Sequence, residues 1–115
     1  MMERIVERGL LYDFYGELLT EHQRRIYEDA VFGDLSPSEI AEEQGISRQG
    51  VHDLIRRCDR ILGDYEAKLH LVAKFLAIRD MAQEAERLAG ECLRTGDMAR
   101  VEEIRRIAGR ITGAL

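Results

Sequence analysis

Ser47, Arg48, Gln49, His52, Asp53, Arg56 and Arg57 crowd into the short stretch 47–57 and carry side chains suited to hydrogen-bonded recognition. An arginine fork makes paired bonds to guanine, a glutamine amide does the same for adenine, and a carboxylate accepts from the cytosine amine. Arg56 and Arg57, a turn further along, suit backbone phosphates, each charge adding salt-dependent affinity. Ser47 is first a helix N-cap, and the free amides behind such a cap can also hold a phosphate. The plainer roles are ordinary ones. Arg48 and Gln49 also fit as first-turn surface residues and His52 as a solvent-facing one. Arg56, Arg57 and Arg60 have Asp53, Asp59 and Asp64 at helical pairing distance. Asp53 sits awkwardly beside phosphates unless it accepts from cytosine.

Catalytic chemistry finds little to work with. His22, His52 and His70 lie in separate segments, without the i+3 or i+4 partner that a helical metal site requires. Neither a glycine-rich phosphate loop nor a nucleophile elbow is present. Asp13 and Tyr15 can be drawn as an acid–base pair, but they read as surface neighbours beside a core helix. The expectation is a non-enzyme with no catalytic residues, no metal and no cofactor.

The stretch that must position these side chains is SPSEIAEEQGISRQGVHDLIRRCDRIL, residues 36–62. Ser36 is an N-cap, Pro37 takes the first helical position, and Glu39 completes a capping box. Ile40 and Ala41 face inward. Gly45 ends the short helix, Ile46 turns back to the core, and Ser47 caps a second helix. There Val51, Leu54, Ile55, Cys58, Ile61 and Leu62 form one apolar stripe, opposite the polar residues above. A capped helix, a glycine turn and a polar-faced second helix make a helix-turn-helix, whose second helix enters the major groove by its N-terminal residues.

At 115 residues, with 45% hydrophobic content and one proline, the chain suits a single helical unit with a real core. The net charge of −5 makes the whole a poor magnet for nucleic acid. That charge is uneven: residues 47–62 carry Arg48, Arg56, Arg57 and Arg60 against only Asp53 and Asp59. Cys58 and Cys92 lie far apart on apolar stripes and read as reduced cysteines of a cytoplasmic protein. MMERIVERG holds no apolar signal core, and Leu69–Ile78 is broken by His70 and Lys74 and too short to span a bilayer. No membrane insertion is expected.

The remaining chain reads as helices throughout, with no period-two alternation. A first helix is expected over 4–19, with Leu10, Leu11, Phe14, Leu18 and Leu19 inward and Tyr12 and Tyr15 flanking them. Thr20 caps a helix to Phe32, with Gln23 closing a capping box and Ile26, Tyr27, Ala30 and Val31 inward. Gly63-Asp64 marks a break before a long helix over 65–93. Its two stripes, one through Tyr65, Leu69, Val72 and Leu76 and one through Leu71, Phe75, Ile78, Ala82, Ala85, Ala89 and Cys92, need cover on two sides. Thr95-Gly96-Asp97 reads as stop and cap for a last helix over 98–111, apolar through Val101, Ile104, Ala108 and Ile111. The domain reading is residues 1–63, containing the helix-turn-helix at 36–62, with residues 64–115 a helical extension of the same compact unit.

The pieces YDFYGELLT, SEIAEE and ISRQGV, followed by the pair Arg56-Arg57, resemble the YlxM family of small bacterial proteins, most densely from Leu10 to Leu69. The helix-turn-helix portion is similar to the DNA-binding region of primary sigma factors, region four. Gly50 stands where the family's string has alanine. The resemblance implies an all-α fold of the winged-helix-like DNA-binding class without strands, with a long C-terminal helix. It also implies a cytoplasmic protein linked by gene neighbourhood to the signal recognition particle pathway. A lone module of this charge binds DNA weakly, and two copies reading two half-sites bind better. A homodimer through residues 65–93, acting as a DNA-binding transcription regulator, is the expectation. The competing reading is an accessory module that docks on the protein or RNA of the signal recognition particle.

Overall fold

The computed structural model describes residues 4–115; the opening Met1-Met2-Glu3 lies outside the described residues. Six α-helices follow in order: α1 (Arg4–Tyr15), α2 (Glu21–Tyr27), α3 (Pro37–Gln44), α4 (Arg48–Leu69), α5 (Leu71–Thr95) and α6 (Val101–Ala114). Among the described residues there is no strand. The helices group into two compact units that divide between His70 and Leu71.

The first unit is built from its caps. Thr20 and Ser36 each accept from the amide three residues on, while Gln23 and Glu39 reach back to the cap amides, so both capping boxes form. Gly45 adopts φ 68°, where only glycine sits without strain, and its N–H closes α3 on the Ala41 carbonyl. Ser47 then opens α4, its hydroxyl accepting from the Gly50 amide at 2.9 Å.

Around these turns Ile26, Ile40, Ala41 and Val51 form a buried cluster, with Ala30, Leu35, Ile46, Leu54 and Ile55 packed on it. Burying each large aliphatic contributes roughly 1.5–3 kcal/mol, enough to lock α2, α3 and α4 at fixed relative positions. A second layer of Tyr15, Leu19, Tyr27, Cys58 and Leu62 is equally closed to solvent. Tyr15 stacks on Tyr65 at 6.0 Å between ring centres, and Tyr12 on Tyr27 at 5.8 Å.

Several expectations shift. The first helix stops at Tyr15 and tightens into a 3₁₀ turn over Gly16–Leu18, which redirects the residues that follow. Tyr15, still within α1 on the side of Leu11 and Tyr12, is buried at 1% exposure and donates to Glu66 at 2.6 Å, while Leu18, in the turn, stands 54% exposed. That removes Tyr15 from any surface pair with Asp13. The helix from Thr20 reaches Phe32 as expected, but its last five residues wind as a π-helical turn.

No break occurs at Gly63-Asp64. Instead α4 runs through them to Leu69 and ends on His70, whose φ of 57° puts a non-glycine residue in the left-handed region. The Gly63 position is open, and the apolar residues on either side, Leu62 and Tyr65, continue the packed stripe. That packing outweighs the cost of about 1 kcal/mol for a mid-helix glycine. The single long helix expected over 65–93 is consequently the end of α4 and most of α5.

The second unit is a helical pair. Asp97 caps the turn between its helices, accepting from the Ala99 amide at 2.9 Å. The seam between α5 and α6 runs through Leu88 and Ile107, with Ile104 and Ile111 half-buried beside them. Val101 and Ala108, expected inward, face outward instead. Arg87 bridges Glu84 at 2.5 Å and Glu91 at 2.9 Å, and Arg100 pairs with Glu103 at 3.1 Å.

Candidate nucleic-acid interface

The side chains singled out on α4 occupy its first turns, where the core beneath fixes the backbone. Val51, Leu54, Ile55 and Cys58 point down into the unit. Every 100° step around the helix then carries the intervening residues outward. Ser47, Arg48, Gln49, His52, Asp53, Arg56 and Arg57 are all exposed. Ser47 is occupied as the cap, its hydroxyl already accepting from Gly50.

Three of the seven are drawn together. The Gln49 side-chain amide donates to Asp53 Oδ1 at 2.9 Å, and the Arg56 guanidinium donates to the same oxygen at 2.7 Å. The Gln49 hydrogen bond, then that from Arg56, holds the Asp53 carboxyl below the usual carboxylate range, so it stays ionised. Arg57 lies one residue on, about 100° around the helix, and is not part of this cluster. Arg48, Arg57 and Arg60 make no ion pair among the described residues.

The local pairs expected for Asp59 do not form. Its carboxylate faces α1 and α2: Oδ2 accepts from Arg8 at 2.5 Å, with Arg4 at 3.8 Å, and Oδ1 accepts from the Tyr27 hydroxyl at 2.6 Å. Burial, then the hydrogen bond to Asp59, raises the Tyr27 phenol well above its ordinary value. Arg8 also lines a shallow depression of about 360 Å³ with Gln49, His52, Ile55 and Arg56. Sequence reasoning missed Arg8, because no local signal joins residues 51 positions apart.

Elsewhere the chemistry is sparse. Among the described residues no group of three His, Cys, Asp or Glu side chains could hold a metal ion, and no helix is long and apolar enough to cross a membrane. Cys58 is buried and Cys92 half-buried, both as free thiols.

Comparison with known proteins bears on the same stretch. A family model described as "Putative helix-turn-helix protein, YlxM / p13 like" matches residues 2–94, which take in the whole helix-turn-helix and nearly all of α5. A UPF0122 protein of Shouchella clausii is 43% identical over 84 residues, covering 73% of this chain and 77% of the relative. One from Symbiobacterium thermophilum is 44% identical over 87 residues, covering 73% and 81%. One from Clostridium botulinum is 51% identical over 73 residues, covering 64% and 67%. With most of its length matched by the family model, and these relatives well above chance identity, this chain belongs to the UPF0122 family of YlxM/p13-like helix-turn-helix proteins.

Proposed function

We propose that the protein is a DNA-binding regulator that reads duplex DNA with the first turns of α4. One observation carries the reading. The N-terminal half of α4 keeps its whole polar side exposed, while the α2–α3–α4 core holds the helix rigidly behind it. In this reading Arg48 and Gln49 meet base edges, Arg56 and Arg57 meet phosphates, and His52 and Asp53 border them. Ser47 positions the helix start. Two copies joined through residues 65–93 would present two such helices to adjacent half-sites, compensating for the weak attraction of an acidic chain.

The test is selection of bound fragments from a pool of genomic DNA at low salt, followed by anisotropy on the winners. Arg48→Ala and Gln49→Ala should each lower affinity for the selected sequence by roughly 5- to 100-fold while leaving non-specific binding little changed. The net charge of −5 favours one alternative: the same face docking on the protein or RNA of the signal recognition particle, as an accessory module in that pathway. Binding to those components, with no duplex retained at low salt, would decide for it.

A further inference from the structure

We propose that Arg8 of α1, together with His52 and Arg56 of α4, forms a notch that holds a backbone phosphate of the bound nucleic acid. This deepens the DNA-binding reading and rests on it for the identity of the ligand. A guanidinium offers five N–H donors, and a carboxylate satisfies an edge of it only when both oxygens are available. Here Tyr27 has taken Oδ1 of Asp59, so Arg8 meets Oδ2 alone, at 2.5 Å. Its Nε is closed to solvent, so the donors open to a ligand are those of Nη1 and the second hydrogen of Nη2, which have no acceptor among the described residues. The fork is thus anchored at one corner and leaves donors to spare.

The side chain is only 23% exposed, which limits the freedom it would lose on binding. It lines the same depression as Gln49, His52, Ile55 and Arg56. Ile55 gives the lining an apolar part, and the other four residues bring two guanidinium groups, an imidazole and an amide to its rim. Among the described residues, the carboxylates bonded to that rim are Asp53, tied to Gln49 and Arg56, and Asp59, tied to Tyr27 and Arg8. A tetrahedral oxyanion suits such a rim of donors, and the depression of about 360 Å³ has room for one. Its place beside the first turns of α4 is where a duplex strand flanking the groove would run.

The experiment compares Asp59→Asn with the double variant Arg8→Gln/Asp59→Asn, so that the ion pair is absent from both and Tyr27 keeps an acceptor. Inorganic phosphate is titrated against chloride at equal ionic strength, followed by amide and side-chain NMR shifts. The parent should respond at Gln49, His52, Ile55 and Arg56. Asp59→Asn should bind phosphate about threefold tighter, the factor supplied by removing one like charge about 6 Å away in water. The double variant should lose the response. Duplex affinity is then measured against salt, where the double variant should show a slope about 0.9 smaller than Asp59→Asn. Absence of phosphate shifts in the notch, or weaker binding by Asp59→Asn, overturns the proposal. So does a parent that binds duplex while the two variants share one slope. A parent that responds to phosphate and retains no duplex would instead overturn the DNA-binding reading.

Discussion

Replacing Asp53 with alanine should strengthen DNA binding. In the free protein one oxygen of this carboxylate occupies both the Gln49 amide and the Arg56 guanidinium, two groups the DNA-binding reading needs. Duplex binding has to break those bonds and bring a negative charge close to phosphates. Its removal frees one full cation for a phosphate contact, which steepens the salt dependence by about 0.9 in log–log slope. That slope corresponds to about 3.5-fold in affinity across a fourfold change of salt, so the gain should be largest at 50 mM and fade by 200 mM. In a His52→Gln background, lowering the pH to 5 should not reproduce the effect, because the Gln49 and Arg56 hydrogen bonds keep the Asp53 carboxyl below the usual carboxylate range and ionised there. Anisotropy with a selected duplex at four salt concentrations reads both quantities. If Asp53 instead accepts from a cytosine, alanine would weaken the best sequence by roughly 5-fold or more and flatten its preference over others. That outcome, or an unchanged slope, would refute the assignment of Arg56 to the backbone.

Other expectations concern the scaffold. Gly45→Ala should destabilise by about 1–2 kcal/mol, since φ 68° is strained for any side chain although open space surrounds the position. Gly63→Ala, in mid-helix with the same open space, should stabilise by up to ~1 kcal/mol; paired urea melts check the opposite signs. Ile40→Ala should cost about 2–5 kcal/mol in the same assay, because its side chain is wholly enclosed by the α2–α3–α4 cluster. Burial, then the Asp59 carboxylate, pushes the Cys58 thiol up to about 11. The folded state therefore holds that proton longer than the unfolded one. Its contribution is complete below about pH 8.5 and falls by up to ~1.4 kcal/mol per pH unit toward 11, a slope Cys58→Ala should reduce. Sedimentation at micromolar concentration should give a species of twice 13.2 kDa if two copies join through residues 65–93, and a 13.2 kDa species would count against that pairing.

What the sequence made legible were the features with local causes. Both capping boxes, the left-handed Gly45, the Ser47 cap and the α4 stripe depend on residues within one or two turns of each other, and all stand where their spacing placed them. The errors came where packing overrides a local signal. Gly63-Asp64 looked like punctuation, yet Leu62 and Tyr65 on either side carry α4 straight through. The break fell at His70, a left-handed residue with no glycine or proline to announce it. Tyr15 looked peripheral because the stripe through Leu10, Phe14 and Leu18 was read as the inward face, whereas α1 buries the side that carries Tyr15 and its partner Glu66 lies 51 positions away.

The same distinction alters the electrostatics of the candidate interface. By residue count, Asp53 and Asp59 offset half the arginines of residues 47–62, and Asp59 had ready partners in its own helix. In the folded unit Asp59 turns toward α1, where Arg8 and Arg4 meet its charge. Asp53 forms its ion pair with Arg56. Arg48, Arg57 and Arg60 are left on the exposed side with no carboxylate within pairing distance among the described residues. Screening over about 10 Å at ordinary salt makes this local arrangement matter more to an approaching phosphate than the distant acids behind the overall −5. An acidic chain can thus present a basic start to a helix, provided that its first helix supplies the cations that neutralise Asp59.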